Sequence, residues 1–536
     1  MRLARAGRLS AAVQALTALP VAERTPAIWA KVLALFPAAT AGLATTASVA
    51  AKFPAALAAA EAFGQRSGVP AALPREAVAE AIRRAPLGSA PGPSGLRTEH
   101  VRALGDAGLA DLAVVVRLLA GEAAVTRVPP LAAHALSGAE LLVLRKPGGD
   151  DADGLPRLRP IGMPELLRKL AAVALAVTVR DPAAAHFSPH QQGVGVRNPC
   201  ERLLHELLAE LAHNPTAALL QLDFRNAFNL VSLPAAVAYL TRAFPLLRHY
   251  LASVYLGADA PRVYGWAASR EAEDAGPAAW VGRLWLRVER GVQQGDPLGP
   301  LIHAAAMQLA LLRIAAAHPT AMVRGFHDDV VVVAEPADLG GVLKTAAAAG
   351  AAIDAELAPA KCLGWSPAGA PAPAGWPARW STEGVVQFSV PLGTDAFLAA
   401  AVADLAARQG RLVGAIADLP PSALQVQLLL LRVCAGPQAN YWLRALPLEW
   451  GARLAGAVDR TAQGALRRLL TDARDSPAAV AALVARAALP LADGGLGVGG
   501  RTAVVPAAVL ASWADSLRAG RRYSPALAAV ARALGG

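Results

Sequence analysis

The chain has 536 residues, with 51 Lys and Arg against 40 Asp and Glu, and so a formal net charge of +11. This length suggests three or four domain-sized units, and 55% hydrophobic residues are ample for a sizeable core. The basic balance favours a polyanionic partner, although a ribosomal or membrane-surface protein would fit it equally well. Three widely separated cysteines, Cys200, Cys362 and Cys434, exclude a disulfide framework and a Cys-x-x-Cys zinc module.

The N-terminal segment carries Arg2, Arg5 and Arg8 and has no acidic residue before Glu23. This composition is typical of an organelle transit peptide, and an ordinary basic amphipathic helix has it as well. The longest uncharged stretch, Val32 to Ala51, is rich in Ala, Thr and Gly and too weakly apolar to predict a membrane span. We therefore expect no membrane partner.

Acidic residues stand at the ends of two short apolar runs. Asp223 follows Leu219-Leu220-Gln221-Leu222, and the pair Asp328-Asp329 precedes a run of four valines. The pattern predicts a hairpin of two strands, Ala321 to Phe326 and Val330 to Ala334, with a tight turn at 327–329. Carboxylates brought from two distant segments to one sheet edge are what a two-metal phosphoryl-transfer site needs, which suggests a nucleic-acid polymerase. The alternative is that Asp-Asp is a turn dipeptide and Asp223 a helix N-cap.

A bend rich in Gly, Gln and Pro, Gly291 to Pro300, lies between these acidic segments and precedes the apolar stretch Leu301 to Ala317. We predict a loop that leads into a helix, with Pro300 in the first turn. Alone, the bend would be explained equally well as a plain loop-to-helix junction. The order of an Asp, a Gly-Gln bend and an Asp pair is much more specific.

In this order the motifs resemble those of the reverse transcriptases, most closely those of non-LTR retrotransposons, from about residue 86 to about residue 395. The segments that carry the resemblance are Ala90 to Leu96, Leu144 to Gly149, Arg157 to Ile161, Gln191 to Gly195, Asp223 to Phe228, Gln293 to Pro300, Phe326 to Asp329, Leu357 to Cys362 and Val390 to Gly393. The resemblance implies an α+β, right-hand polymerase fold with fingers, a palm on an antiparallel sheet and a helical thumb. We expect an N-terminal helical extension over 1–85, fingers over 86–215, the palm over 216–395 and a helical thumb and tail over 396–536.

The resemblance also implies roles for individual side chains. Asp223, Asp328 and Asp329 would hold two Mg²⁺ ions, for which Mn²⁺ could substitute, and Lys361 would protonate the leaving pyrophosphate. The candidate nucleotide-binding residues are Phe224, Phe228, Gln294, Gly295, Lys146, Arg159 and Arg168, and the candidate primer or template contacts are Leu392 and Gly393. The ring of Phe228 would exclude ribonucleotides by crowding the sugar 2′-position, with core packing as the alternative. For the Lys and Arg candidates, a solvated surface role stays open.

Two residues depart from the family pattern: Phe326 stands where Tyr is more usual, and His327 where a small residue is commoner. Neither change removes a metal ligand. We therefore expect RNA-directed DNA synthesis on an RNA template, with a DNA primer or target and deoxynucleoside triphosphates as substrates. A catalytically inactive remnant that binds nucleic acid and an RNA-templated RNA polymerase are the alternatives, and Phe228 argues against the second.

Further expectations concern the setting of the reaction. Because no Cys/His cluster follows the palm segment, we expect a separate nicking endonuclease as a possible partner. The family's need to reach chromosomal DNA favours the nucleus, and the Arg-rich N-terminus leaves an organelle open.

Overall fold

The computed structural model describes residues 20–40, 42–121, 136–256, 262–267, 283–471 and 475–534. In this part of the chain the helices before the first strand are α1 (Pro26–Ala34), α2 (Thr46–Lys52), α3 (Pro54–Gly64), α4 (Arg75–Arg84), α5 (Thr98–Arg102) and α6 (Asp106–Ala120). The next elements are β1 (Ala139–Asp150), β2 (Pro156–Pro164), α7 (Leu166–Phe187), α8 (Pro199–His213), β3 (Ala218–Leu222), α9 (Ala227–Leu230), α10 (Leu233–Ala243), α11 (Arg248–Val254), β4 (Arg262–Ala267) and β5 (Arg283–Val288).

The second half of the described chain begins with α12 (Gly299–Ala317), β6 (Met322–Phe326), β7 (Asp329–Ala334), α13 (Leu339–Ala351), β8 (Leu363–Trp365), β9 (Arg379–Ser381), β10 (Gly384–Gln387) and β11 (Val390–Gly393). Helices then follow one another: α14 (Asp395–Ala417), α15 (Leu424–Leu430), a π-helical turn (Leu431–Ala435), α16 (Gly436–Gln438), α17 (Asn440–Ala445), α18 (Leu448–Leu470), α19 (Pro477–Ala488), α20 (Arg501–Gly520) and α21 (Pro525–Ala533). Among the described residues after 394, all the regular elements are therefore helices.

A four-stranded sheet of order β2-β1-β4-β5 lies in the first half of the chain. Strands β1 and β2 are antiparallel, β4 runs parallel to β1, and β5 is antiparallel to β4. Helix α1 covers this sheet with Ile28 and Val32, and Trp29 stacks on Trp266 of β4 with 5.1 Å between ring centroids. Aromatic burial of this kind makes helix α1 part of the sheet's core.

The central sheet has five strands in the order β6-β7-β3-β8-β9, antiparallel except for the last pair. Val330 to Val333 of β7 are buried on both faces, which explains a continuous valine run in place of an alternating pattern. The predicted hairpin is confirmed with one difference. Asp329 pairs with Phe326 as the first residue of β7, so only His327 and Asp328 form the turn.

Helix α12 is apolar on every side because it is a core helix, packed between α10 and α13. Its predicted start is confirmed, with Pro300 in the first turn. Within the described residues, α7 and α12 are long and apolar enough to cross a membrane, and the bent pair Asp395–Ala417 and Pro421–Ala445 would make a third span. In the structure 67% of the apolar window of α12 and 44% of that of α7 are buried inside the protein.

A buried ion pair joins α7 to the bend that precedes α12. Arg168 is 1% exposed, and its Nη2 donates to Oδ2 of Asp296, which also accepts from the Tyr255 hydroxyl at 2.7 Å. Arg168 Nε donates to the Tyr250 hydroxyl at 3.3 Å, and the other Asp296 oxygen accepts from the backbone N–H of Leu298 at 2.9 Å. Both charges therefore have partners, as buried charges require.

We expect Asp296→Ala to lower the free energy of unfolding by about 3–5 kcal/mol, because Arg168 would stay buried without its counter-charge. Urea unfolding followed by circular dichroism measures the loss. The matched control is Asp181→Ala, since Asp181 is 79% exposed and pairs with Arg180 on the same helix α7. The control should cost less than about 1 kcal/mol. Equal losses in the two variants would contradict the role given to the buried pair.

Candidate active site

The two acidic segments meet at one end of the central sheet. Leu222 of β3 is the register partner of Val330 of β7, so Asp223 and Asp329 leave adjacent strands side by side. Asp328 occupies the β6–β7 turn next to them, where His327 adopts the left-handed backbone conformation (φ 58°). The structure therefore brings together the three carboxylates that the sequence analysis singled out.

These carboxylates repel one another. Partial burial and the negative charge of Asp328 raise the pKa of Asp223, although Lys361 opposes the shift. Partial burial and the charges of Asp328 and Asp223 raise the pKa of Asp329 to about 6. Clustered carboxylates of raised pKa are typical of sites that act on or with a cation.

The donor set fits a magnesium-type ion in its chemistry, since carboxylate oxygens are the hard ligands that Mg²⁺ prefers. Among the residues that the structure describes, no three His, Cys, Asp or Glu side chains are grouped closely enough to hold one metal ion. Mg²⁺ is commonly held by one or two carboxylates, with waters and substrate phosphates completing its shell. Asp223, Asp328 and Asp329 together can supply the one or two carboxylates that such an ion needs.

Lys361 lies beside the carboxylates. Its Nζ is 3.9 Å from Oδ1 of Asp223, and its side chain is 61% exposed. A short 3₁₀ turn, Pro359–Lys361, places it there, because the backbone N–H of Ala358 donates to the carbonyl of Asp223 at 2.8 Å. The lysine that the sequence analysis proposed as a proton donor is thus next to the carboxylates that it would serve.

Strands β1 and β2 present cations toward the same site. Partial burial lowers the pKa of Lys146, as do the nearby charges of Arg159, Arg157 and Lys361, while Asp328 acts in the opposite direction. Arg157 and Arg159 lie on the same exposed face of β2. Arg157 was not among the predicted site residues, but the alternation Arg157-Leu158-Arg159 could have revealed it, because side chains two apart in a strand share a face.

The Gly-Gln bend is fastened to β2 through its backbone. The N–H of Gly162 donates to the carbonyl of Gln294 at 2.7 Å, and Gln293 Nε2 donates to the carbonyl of Gly162 at 3.0 Å. Gly295 has φ 112°, and a Cβ there would lie 2.3 Å from the carbonyl oxygen of Gly162. A side chain at this position would break the contact between bend and strand. Gln294 is half-buried, and its Nε2 reaches Asn229 Oδ1 at 3.4 Å.

Phe228 borders the site, whereas Phe224 does not. The ring of Phe228 is half-buried and stacks on the ring of His303 of α12 with 4.1 Å between centroids and 6° between planes. Phe224 is 6% exposed and packs in the core, close to Gly350. Phe224 is among the predicted nucleotide-binding residues, and the burial of its ring does not fit a contact made by the side chain.

Two further predicted contacts need correction. Arg168 is buried in its ion pair with Asp296, so it is not available to a nucleotide or to a template strand. Leu392 is 4% exposed and packs in the core, so its side chain does not reach a primer. Gly393 lies so close to Glu383 that a Cβ on Gly393 would be 2.4 Å from the Glu383 carbonyl oxygen. Leu392 and Gly393 therefore hold the β10–β11 hairpin together.

The turn of that hairpin faces the carboxylates. Phe388 and Ser389 both have positive φ, and a cavity of about 300 Å³ separates them from Asp223, Asp329 and Lys361. The turn is held from behind, where the Tyr441 hydroxyl donates to the Phe388 carbonyl at 2.6 Å and Trp442 Nε1 donates to the Ser389 carbonyl at 3.0 Å. The sequence analysis missed these turn residues, although they directly precede the predicted Val390 to Gly393 motif.

Comparison with known proteins agrees with this geometry. Residues 144–385 match the family model described as reverse transcriptase (RNA-dependent DNA polymerase). A retrotransposable element SLACS 132 kDa protein of Trypanosoma brucei gambiense is 31% identical over 284 residues, which are 51% of this chain and 21% of that protein. The chain thus matches about a fifth of the length of this relative. Residues 144–385 are therefore similar to reverse transcriptases, and the chain shares a segment with a protein of a retrotransposable element.

Proposed function

We propose that this protein is an RNA-directed DNA polymerase that extends a DNA primer on an RNA template by two-metal nucleotidyl transfer. The observation that carries the proposal is the meeting of Asp223, Asp328 and Asp329 at one edge of the central sheet. In this proposal the central sheet is the palm, the β2-β1-β4-β5 sheet belongs to the fingers, and the helices from α14 onward supply the thumb and tail. The deoxynucleoside triphosphate, the primer and the template are the substrates.

The side chains around the carboxylates divide the work. Two Mg²⁺ ions held by the carboxylates would activate the primer hydroxyl and stabilise charge on the phosphates. Lys361, whose Nζ lies 3.9 Å from Oδ1 of Asp223, would give a proton to the departing pyrophosphate. Lys146, Arg157 and Arg159 form a cationic face that suits a triphosphate, and Arg in particular suits bidentate phosphate contacts.

Phe228 selects the sugar in this proposal. Its half-buried ring lies 6.2 Å from the ring of His327, the neighbour of Asp328, and its helix α9 is joined through Asn229 to Gln294, the proposed nucleotide contact. A bulky ring beside the sugar would collide with a 2′-hydroxyl, which favours DNA synthesis over RNA synthesis. Reaction at a chromosomal nick made by a separate endonuclease, in the nucleus, is part of the same proposal.

We expect Asp328→Ala to lower the rate of primer extension roughly a thousandfold, because a carboxylate that stabilises transition-state charge is lost. The assay extends a labelled DNA primer on an RNA template with Mg²⁺ and deoxynucleotides. Asp338→Ala is the control, since Asp338 is exposed and its side chain does not cap a helix. A folded wild-type protein that binds the duplex without extending the primer would support the inactive remnant.

Asp329→Asn should abolish extension and yet stabilise the metal-free protein at pH 8. The pKa of Asp329 is raised to about 6 from 3.8, so ionisation in the folded state costs stability once the pH rises above about 4. Because the Asp329 side chain is only partly buried, solvent screening limits the gain to about 1 kcal/mol, and the gain should vanish by pH 4. Urea unfolding at pH 4, 6 and 8 measures it, with Asp338→Asn as control. An unchanged or lower midpoint at pH 8 would contradict the electrostatic account.

Phe228→Ala should lower the preference for deoxynucleotides over ribonucleotides by about tenfold or more, since the ring would no longer crowd the 2′-hydroxyl. The measurement is the ratio of kcat/KM for dCTP and CTP in single-nucleotide extension. Phe388→Ala is the aromatic control, because Phe388 lines the cavity beside Asp223 and Asp329 but has no proposed contact with the sugar. A wild-type enzyme that uses both nucleotides equally would favour the RNA polymerase alternative.

A further inference from the structure

His303 belongs to no motif of the sequence analysis, yet it lies directly behind Phe228. It is on the first turns of α12, is 0% exposed, and presents its ring face to the ring of Phe228 at 4.1 Å and 6°. His327 of the β6–β7 turn completes the cluster, 6.2 Å from Phe228 and 6.4 Å from His303. Rings from three separate segments of the chain thus meet.

The backbone that carries Phe228 is fixed independently of this stack. The carbonyl of Phe228 accepts from the N–H of Val292 at 2.6 Å, and Asn226 Nδ2 donates to the carbonyl of Leu35 at 2.8 Å. Gly291 lies so close to Asn229 that a Cβ would be 2.1 Å from its backbone. These contacts fix the short helix α9, but they leave the χ1 and χ2 angles of Phe228 undetermined. The ring needs a surface to rest on.

His303 supplies that surface in an unusual form. Both ring nitrogens are buried without a hydrogen-bond partner, so the ring meets its surroundings only by packing. Burial lowers the pKa of His303 to about 3, which keeps the imidazole neutral at any pH at which a polymerase works. A buried polar ring without partners is costly, and an aliphatic residue would avoid that cost. What an aliphatic residue lacks is a flat face for parallel stacking.

We infer that His303 is a positioning residue for sugar selection: it holds the ring of Phe228 in the plane that excludes a 2′-hydroxyl. This inference rests on the proposed function, in which Phe228 faces the sugar of the incoming nucleotide. His303 itself contacts no substrate, since it is fully buried. Its effect on the reaction passes through the orientation of one neighbouring ring.

The test is the ratio of kcat/KM for dCTP and CTP in the 536-residue chain. His303→Leu keeps most of the side-chain volume without a flat face and should lower the preference for dCTP by roughly tenfold, a typical size for a change in pocket shape. His303→Phe restores a flat ring and should stay within about threefold of the wild type. The kcat for dCTP should change less than about threefold in both, because the carboxylates are untouched.

The double variant Phe228→Ala/His303→Leu separates positioning from general damage. If His303 acts only through Phe228, the double variant should discriminate no less than Phe228→Ala alone. A His303→Leu protein that folds, as judged by its circular dichroism and urea midpoint, and keeps the wild-type preference would overturn the inference. So would a fall in kcat for dCTP equal to the change in preference.

The failure of the proposed function looks different. If Phe228→Ala itself left the preference unchanged in an active enzyme, the sugar-selection role of Phe228 would fall, and the inference about His303 with it. If Phe228→Ala lost the preference while His303→Leu retained it, only the inference about His303 would be overturned.

Discussion

The buried ion pair between Arg168 and Asp296 is the constraint on which the site depends. It connects α7, which leads out of the cationic β1–β2 layer, to the bend that carries Gln294. Removing two charges from water carries a penalty that only good geometry repays, and here the hydroxyls of Tyr250 and Tyr255 and the N–H of Leu298 complete the shells. Such a network specifies one arrangement, since any displacement of the bend would separate buried charges.

A second buried ion pair supports the β6–β7 hairpin, whose turn carries Asp328. Arg324 of β6 donates to both carboxylate oxygens of Glu206 of α8, and its guanidinium lies over the ring of Tyr523 at 5.8 Å. Tyr523 follows α20, nearly two hundred residues further along the chain. Helix α8 is therefore joined at once to the hairpin strand and to the C-terminal helices. His205 on the same helix stacks on Trp513 at 4.3 Å, which extends that connection. The C-terminal helices are in this way part of the support of the active site.

The sequence predicted what local patterns determine. The four valines before Ala334, together with the Asp pair that precedes the valines, were enough to predict the hairpin. Pro300 marked the start of α12. The carboxylates could be identified because each stands at the end of an apolar run, a position that the sequence alone shows. Arg168 and Leu392 were placed wrongly because burial depends on distant partners: the counter-charge of Arg168 is 128 residues away. An arginine in a basic chain is expected at the surface, and only the tertiary fold shows the exception. His303 was missed for the same reason, since nothing near it in sequence predicts that Phe228 will rest on it.

The charges at the site are arranged at the expense of the free protein's stability. Partial burial and mutual repulsion raise the pKa values of Asp223 and Asp329, and partial burial with the charges of Arg159, Arg157 and Lys361 lowers the pKa of Lys146. The site thus contains two groups of like charges. The carboxylates form a negative group at the sheet edge, and the Lys and Arg side chains of β1 and β2 form a positive group. A ligand that combines cations with a polyphosphate would relieve both groups at once, because each charge would gain an opposite neighbour. The free protein stays strained by these repulsions until such a ligand binds. The charged groups are therefore already in position before the ligand binds, which is what electrostatic preorganisation means.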